Sequence, residues 1–413
     1  MRGDLREAAR GKGIMVSICF YFQVHQPFRL RKYSVFDVGH NHHYFDEQRN
    51  EKEMRKIANK CYVPANAIIL DLLKKHPEFR AAYSISGTAI EQMRLYAPEA
   101  LESFRKLALT GKVEFLNETY YHSLSSIYSK TEFKTQVEKH RQMIEDEFGQ
   151  TPKVFRNTEL IFNNEIANTV MNMGHTAILA EGVDRILQWR SPNFIYTAAT
   201  APKLKLLLKN YRLSDDIAFR FSERSWADWP MTAPKFADWV SAANGNGHVI
   251  NLFMDYETFG EHQWESTGIF DFLRALPAEL LKHPHNDFVT PSEAALRFPP
   301  AGELDIHQLI SWADVERDLS AWLGNKMQKS AIEQLYALEK QVLESEDERI
   351  IDDWRKLQTS DHFYYMCTKW FADGDVHKYF NPYESPYEGF IWYMNVINDI
   401  KIRLNELKIK VIA

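Results

Sequence analysis

The sequence is poor in features that mark several protein classes. Three cysteines, Cys19, Cys61 and Cys367, occur in 413 residues, odd in number and without a CxxC pair. This excludes a disulfide framework and a thiolate zinc site, and fits buried thiols in a reducing compartment. The net charge is −6 and no block of consecutive Lys or Arg occurs, so the clustered cations that grip nucleic-acid phosphates or anionic lipids are missing. No apolar run reaches the ~18 residues of a membrane span. The opening MRGDLREAARGKG mixes arginine with acids and lacks the apolar stretch of a secretory signal. A cytoplasmic protein is expected, with residues 1–14 a disordered extension and Met15 an alternative start. No GxGxxG follows the first strand and there is no Walker-type loop, so no nucleotide cofactor is expected.

What is present belongs to a globular enzyme. Hydrophobic residues make up 45% and charged residues 26% of the chain, enough to bury a sizeable core. Aromatics reach 13%; flat rings suit stacking on sugar faces, although most such side chains serve as core. A near-neutral balance is permissive for an uncharged polysaccharide.

Val16–Val24 (VSICFYFQV) is a nearly continuous apolar run that reads as a strand buried on both faces, stopped by His25-Gln26-Pro27. A helical segment carrying Met54, Ile57 and Cys61 follows, expected to break at Pro64 and resume at Ile68. Strands are then expected at Arg80–Gly87, Val113–Tyr121, Lys153–Leu160, Thr176–Glu181, Lys203–Leu208, His248–Tyr256 and Phe288–Thr290, with helices between them. Strands alternating with helices indicate a parallel sheet, and roughly seven units indicate a closed or nearly closed barrel. An open doubly wound sheet competes on periodicity alone. Near Leu296–Gly302 two prolines and a glycine mark a linker. Beyond it, Ser330–Val342, Arg349–Leu357 and Gly389–Ala413 read as helices. The expected division is a barrel over 15–299 and a helical domain over 300–413.

Parallel α/β barrels place their active sites at the C-terminal ends of the strands. Read that way, the ends collect His25, then Glu114, Asn117, Glu118 and His122, then Asn157 and Glu159, then Asp255 and Glu257. Glu159 in KVFRNTELIF and Asp255 in INLFMDYETFGEH each follow an apolar strand. Each also has a plain structural reading: Glu159 as a helix cap or partner of Arg156, Asp255 as an N-cap or ion-pair member. Two carboxylates flanking a glycosidic bond are the usual machinery of glycoside hydrolysis.

Five ordered segments resemble glycoside hydrolase family 57: His25-Gln26-Pro27, Gly111–Phe115 continuing through Asn117–Leu124, Phe155–Phe162, Phe253–His262 and Ser360–Met366. The resemblance implies an incomplete (β/α)7 barrel followed by a helical bundle that helps form the cleft. It implies Glu159 as catalytic nucleophile and Asp255 as general acid/base, acting on α-glucans with retention and without a metal. It places His25, Glu114, His122, Asp361 and Tyr364 on sugar hydroxyls. His262 stands where some family members carry Trp, and Tyr364 where a relative often has Trp. Ile310–Asn325 also resembles amylase-like members, which puts Trp312 and Asp314 at the cleft, with a packing role for Trp312 equally open. The α-amylase-like group is the nearest match in wording, with 4-α-glucanotransferase or branching activity as alternatives. Two rivals of other kinds stand beside these: a zinc hydrolase built on His40, His42 and His43, whose spacing lacks HxxxH or HxxEH, and a non-catalytic α-glucan-binding protein. The expected partner is an α-glucan or maltooligosaccharide, not nucleic acid or membrane.

Overall fold

Every residue of the apolar run Ser17–Val24 (β1) is buried, and β1 pairs in parallel with Ala81–Ile85 (β2) on one edge and Val249–Asp255 (β8) on the other. A strand enclosed by parallel neighbours and covered on both faces has no solvent side, so its sequence is apolar rather than alternating. β2 continues to Val113–Phe115 (β3). Val154–Arg156 (β4) pairs with Ala177–Glu181 (β5), which pairs with Ala201–Lys209 (β7). Two narrow seams join these halves: a bridge between Asn117 and Phe155 links β3 to β4, and the single pair Lys209–Asn251 links β7 to β8. Seven parallel strands thus curl into an incomplete (β/α)7 barrel. Tyr196–Ala198 (β6) lies antiparallel on β7, Asp287–Phe288 (β9) extends β1, and Glu303–Leu304 (β10) extends β6. These coordinates are a computed structural model, which describes residues 16–284, 286–369 and 381–412. The expected 1–14 extension lies outside the described residues.

Alternate strand residues pack in two directions. Cys19, Tyr21, Ala82, Leu116, Leu179, Leu207 and Phe253 form one buried cluster, whereas Ile18, Phe20 and Phe22 join a second with the helices around β1 and β2. A third cluster binds the other half of the barrel, through Phe155, Ile178 and Leu206, to the C-terminal helices, through Ile332, Trp354 and Ile397. Those helices run over Lys326–Ala337, Glu339–Glu344, Glu348–Lys356 and Pro386–Ile412. Cys19, Cys61 and Cys367 are all buried free thiols. Among the described residues no helix is long and apolar enough to cross a membrane.

Three expectations are corrected. The third strand ends at Phe115 rather than Tyr121, because Leu116–Tyr121 leaves the ladder to form the rim of the site. The fourth is similarly short, since Glu159 and Leu160 adopt left-handed φ values of 56° and 51°. Pro64 does not break its helix. A π-helical turn, Ala58–Tyr62, joins Glu47–Ile57 to Val63–Lys75, with the Val63 N–H donating to Ala58 O. Widening the turn relieves the clash a proline ring makes with the carbonyl four residues back, here that of Lys60.

That carbonyl lies against Gly260 in the loop after β8. Gly260 has φ +117°, and a Cβ there would meet Lys60 O at 1.9 Å. Gly260→Ala is therefore expected to lower stability by at least about 2 kcal/mol, read as a lower urea midpoint. Gly111, at φ +67° with nothing within 4 Å of a built Cβ, is the control, with a loss of about 1 kcal/mol on substitution. Equal losses at both positions would show that the Lys60 contact is irrelevant.

Candidate active site

The short strand β4 delivers Glu159 to the barrel mouth, and its left-handed backbone turns the carboxylate away from the strand direction. A non-glycine residue there costs about 1–2 kcal/mol, and the surroundings hold it. The Trp312 indole N–H donates to Glu159 Oε2 at 2.7 Å, and the Ser360 hydroxyl donates to Oε1 at 3.1 Å. His122 Nε2 stands 3.5 Å from Oε1. The Trp312 backbone N–H also donates to the Glu159 carbonyl at 3.2 Å. Three distant stretches of chain therefore converge on one carboxylate whose side chain is 18% exposed.

His122 is set by Glu118. Its Nδ1 lies 2.8 Å from Glu118 Oε2, and Gln23 Nε2 donates to the other Glu118 oxygen at 3.2 Å. Burial opposes charge on His122, but Glu118 and Glu159 outweigh it and raise the imidazole to about 9. Burial likewise opposes ionisation of Glu118, yet His122, His140 and Arg156 bring it down to about 2. The His25 ring stacks on His122 with centroids 4.0 Å apart. His25 is pushed downward by burial and by the His122 charge. It bonds Asp361 Oδ2 through Nε2 at 2.9 Å and Ser86 Oγ through Nδ1 at 2.7 Å. Asp361 stays well below the carboxylate range because its bonded partner His25 and the His122 cation overcome its burial.

The two principal carboxyls differ in proton affinity. Burial raises Glu159, but its contact with the His122 cation and the charge of Arg156 bring it below its ordinary value. Asp255, at the end of β8, is raised to about 6 by burial and then by the charge of Glu159. Below about pH 6 the pair thus favours one ionised and one protonated member, the arrangement an acid and a nucleophile require. Next to Asp255, Glu257 is pushed to about 8 by burial and by Asp255, and accepts from Tyr62 Oη.

The Trp312 loop is moored to the barrel by Arg317. Its guanidinium donates to Trp312 O and to Asp215 Oδ2, the latter at 3.2 Å, and covers the Tyr211 ring, 5.0 Å from the centroid. Tyr364 is half-buried against Trp322, and burial and the charges of Asp314 and Glu159 raise its phenol. His262 sits in the turn after β8, its backbone N–H donating to Glu257 O at 2.9 Å.

Glu114 is a correction. It lies mid-strand, opposite Ala82, and both its oxygens accept from Ser292, from the backbone N–H at 2.9 Å and from the hydroxyl. It anchors the helix Pro291–Arg297 and does not join the Glu159 cluster. Glu118, one turn of chain later, takes the place at the rim. Arg156 forms no ion pair with Glu159, so that plain reading also falls. Of the histidine cluster, His42 bonds Asp399 at 2.7 Å; among the described residues no group of three or more His, Cys, Asp or Glu is placed to hold a metal ion.

A family model described as glycosyl hydrolase family 57 matches residues 19–307. A Methanocaldococcus jannaschii protein named "Putative alpha-amylase" is 44% identical over 409 residues, covering 95% of this chain and 86% of its own length. The crystal structure of a branching enzyme from Thermococcus kodakaraensis superposes with a TM-score of 0.64 at 13% identity, covering 89% of this chain and 87% of that one. A 4-α-glucanotransferase from Thermococcus litoralis gives 0.61 at 16% identity over 84% of this chain, which spans 56% of that protein. An α-amylase from Thermotoga maritima gives 0.59 at 12% identity, covering 97% and 94%.

Replacing Glu118 by Gln removes one of the two carboxylates that stabilise the His122 cation. The His122 midpoint is expected to fall from about 9 toward the ordinary imidazole value, measured by NMR titration of the ring protons. A midpoint unchanged in Glu118→Gln would break the proposed chain Glu118–His122–Glu159.

Proposed function

The chain belongs to glycosyl hydrolase family 57 and is α-amylase-like, and from that premise we propose that it cleaves α-1,4-glucans by double displacement, with Glu159 as nucleophile and Asp255 as general acid/base. The observation that carries this is the split pair: Glu159 held ionised by Trp312, Ser360 and His122, Asp255 raised to about 6 beside it.

Protonated Asp255 gives its proton to the glycosidic oxygen while Glu159 attacks the anomeric carbon, and the leaving sugar departs from a glycosyl ester. Asp255, now a carboxylate, takes a proton from water, whose oxygen displaces Glu159 and restores the starting state with retained configuration. An acceptor sugar in place of water turns the same two steps into glucan transfer, the activity named for the Thermococcus litoralis protein. His25 and Asp361 form a bonded pair suited to the hydroxyls of the bound sugar, with Tyr364 close enough to feel the charges of Glu159 and Asp361; His262 is assigned to the sugar by the resemblance alone. Trp312 acts on the nucleophile itself.

The reading fixes the pH profile. Asp255 must be protonated, so activity falls as pH rises through about 6; Glu159 must be ionised, so the acid limb lies below the ordinary glutamate value. Incubation with soluble starch or maltoheptaose is expected to yield shortened chains, or lengthened ones if transfer dominates; unchanged substrate favours a glucan-binding protein. Glu159→Gln is expected to lose essentially all turnover, and azide to rescue Glu159→Ala through a glycosyl azide. Near-normal turnover in Glu159→Gln refutes the assignment. Trp312→Phe, which keeps a ring but removes the N–H, is expected to lower kcat by about 10–100-fold, as for one hydrogen bond to a charged group.

A further inference from the structure

Arg156 has no task in the steps above, yet it occupies a costly position. It ends β4, three residues before Glu159, with its side chain wholly buried. None of its guanidinium nitrogens hydrogen-bonds another described residue. Taking an ion out of water costs several kcal/mol unless other charges compensate, and arginine does not escape by losing its proton. The compensation here is of two kinds. The guanidinium lies 4.9 Å from the Trp312 ring centroid, and its charge acts on Glu118, Glu159 and Asp255. Lys209 also approaches that ring, at 5.3 Å, but it has acids of its own, Asp215 at 2.9 Å and Glu181 at 3.8 Å.

We propose, resting on the assignment of Glu159 and Asp255 above, that Arg156 is a positioning residue: a fixed cation shared by both carboxyls that balances the site as negative charge passes between them. In the resting state the charge is on Glu159 and the proton on Asp255. When the Glu159 oxygen bonds the anomeric carbon, its charge is lost, the bond to the leaving oxygen breaks, and that oxygen takes the Asp255 proton. The negative charge has then moved to Asp255. Water next gives its proton to Asp255 and its oxygen to the anomeric carbon, and the departing Glu159 regains the charge. A cation bonded to one carboxylate would favour one stage at the expense of the other. A guanidinium tied to neither by a hydrogen bond, and stacked on the indole that itself grips Glu159, serves both.

The charged and titratable groups acting on Asp255 are Glu159, Glu257 and Tyr21 on one side and Arg156, Lys209 and His122 on the other. Removing Arg156 subtracts one cation from that set. The test is the titration of the Asp255 carboxyl in the resting protein, followed by infrared difference against Asp255→Asn, which needs no substrate. In Arg156→Gln the midpoint is expected to rise by about one pH unit, with Arg156→Lys restoring most of the shift. The basic limb of kcat/KM on maltoheptaose is expected to move up by the same amount, with kcat lowered and KM little changed. If the unaltered protein leaves glucans uncleaved, the catalytic assignment fails, while the infrared titration still reads Arg156. A midpoint in Arg156→Gln equal to that of the unaltered protein overturns the proposal. If that variant does not fold, Arg156→Lys decides: a retained midpoint supports a role for charge, a shifted one overturns it.

Discussion

A carboxylate that must stay ionised inside a barrel needs donors, and a strand of three residues has none to spare. Glu159 obtains them from elsewhere: an indole N–H from the loop after β10, a hydroxyl from the start of a C-terminal helix, and an imidazolium from the rim after β3. Much of the architecture follows from that convergence. The C-terminal helices share a core with β4, β5 and β7, which brings Ser360 to the site. The Ser360 N–H donates to His122 O at 2.9 Å, so the third donor and the second are locked to each other. The left-handed backbone at His122 and at Glu159 is the local cost of aiming both groups at one point, sustained by the packing around them.

The same convergence divides two chemically similar acids. Glu159 is surrounded by donors and cations, while Asp255 ends an apolar strand and feels the negative charge of its neighbour. Alternating signs run outward through Glu159, His122 and Glu118, and the bonded pair of His25 and Asp361 lies beside them. Each charge is compensated by the next, so loss of any one disturbs the proton affinity of those beyond it.

The strands were legible because enclosed parallel strands must be apolar throughout; β1 and β8 match their expected runs within a residue or so. Their ends were less legible. Val113–Tyr121 reads as one β-rich stretch, and only pairing shows that it leaves the ladder after Phe115. Glu114, assigned to the sugar by the family resemblance, instead stands mid-strand on Ser292, and Glu118 is the residue bonded to His122. The π-turn before Pro64 leaves no trace in hydrophobic periodicity. At the site, Glu159, Asp255, His25, His122 and Asp361 are legible from five ordered segments, each of which contributes one of these groups. The grip of Trp312 on Glu159 joins positions 153 residues apart, and the burial of Arg156 depends on that indole, so neither is visible in local sequence.

The central claim is that one sugar is passed from its leaving group to Glu159 and then to an acceptor, inverting the anomeric centre twice. The configuration of the product as first formed from maltoheptaose, followed by proton NMR before mutarotation, tests this most directly. The account predicts the α-anomer at the earliest times; the β-anomer appearing first would contradict it.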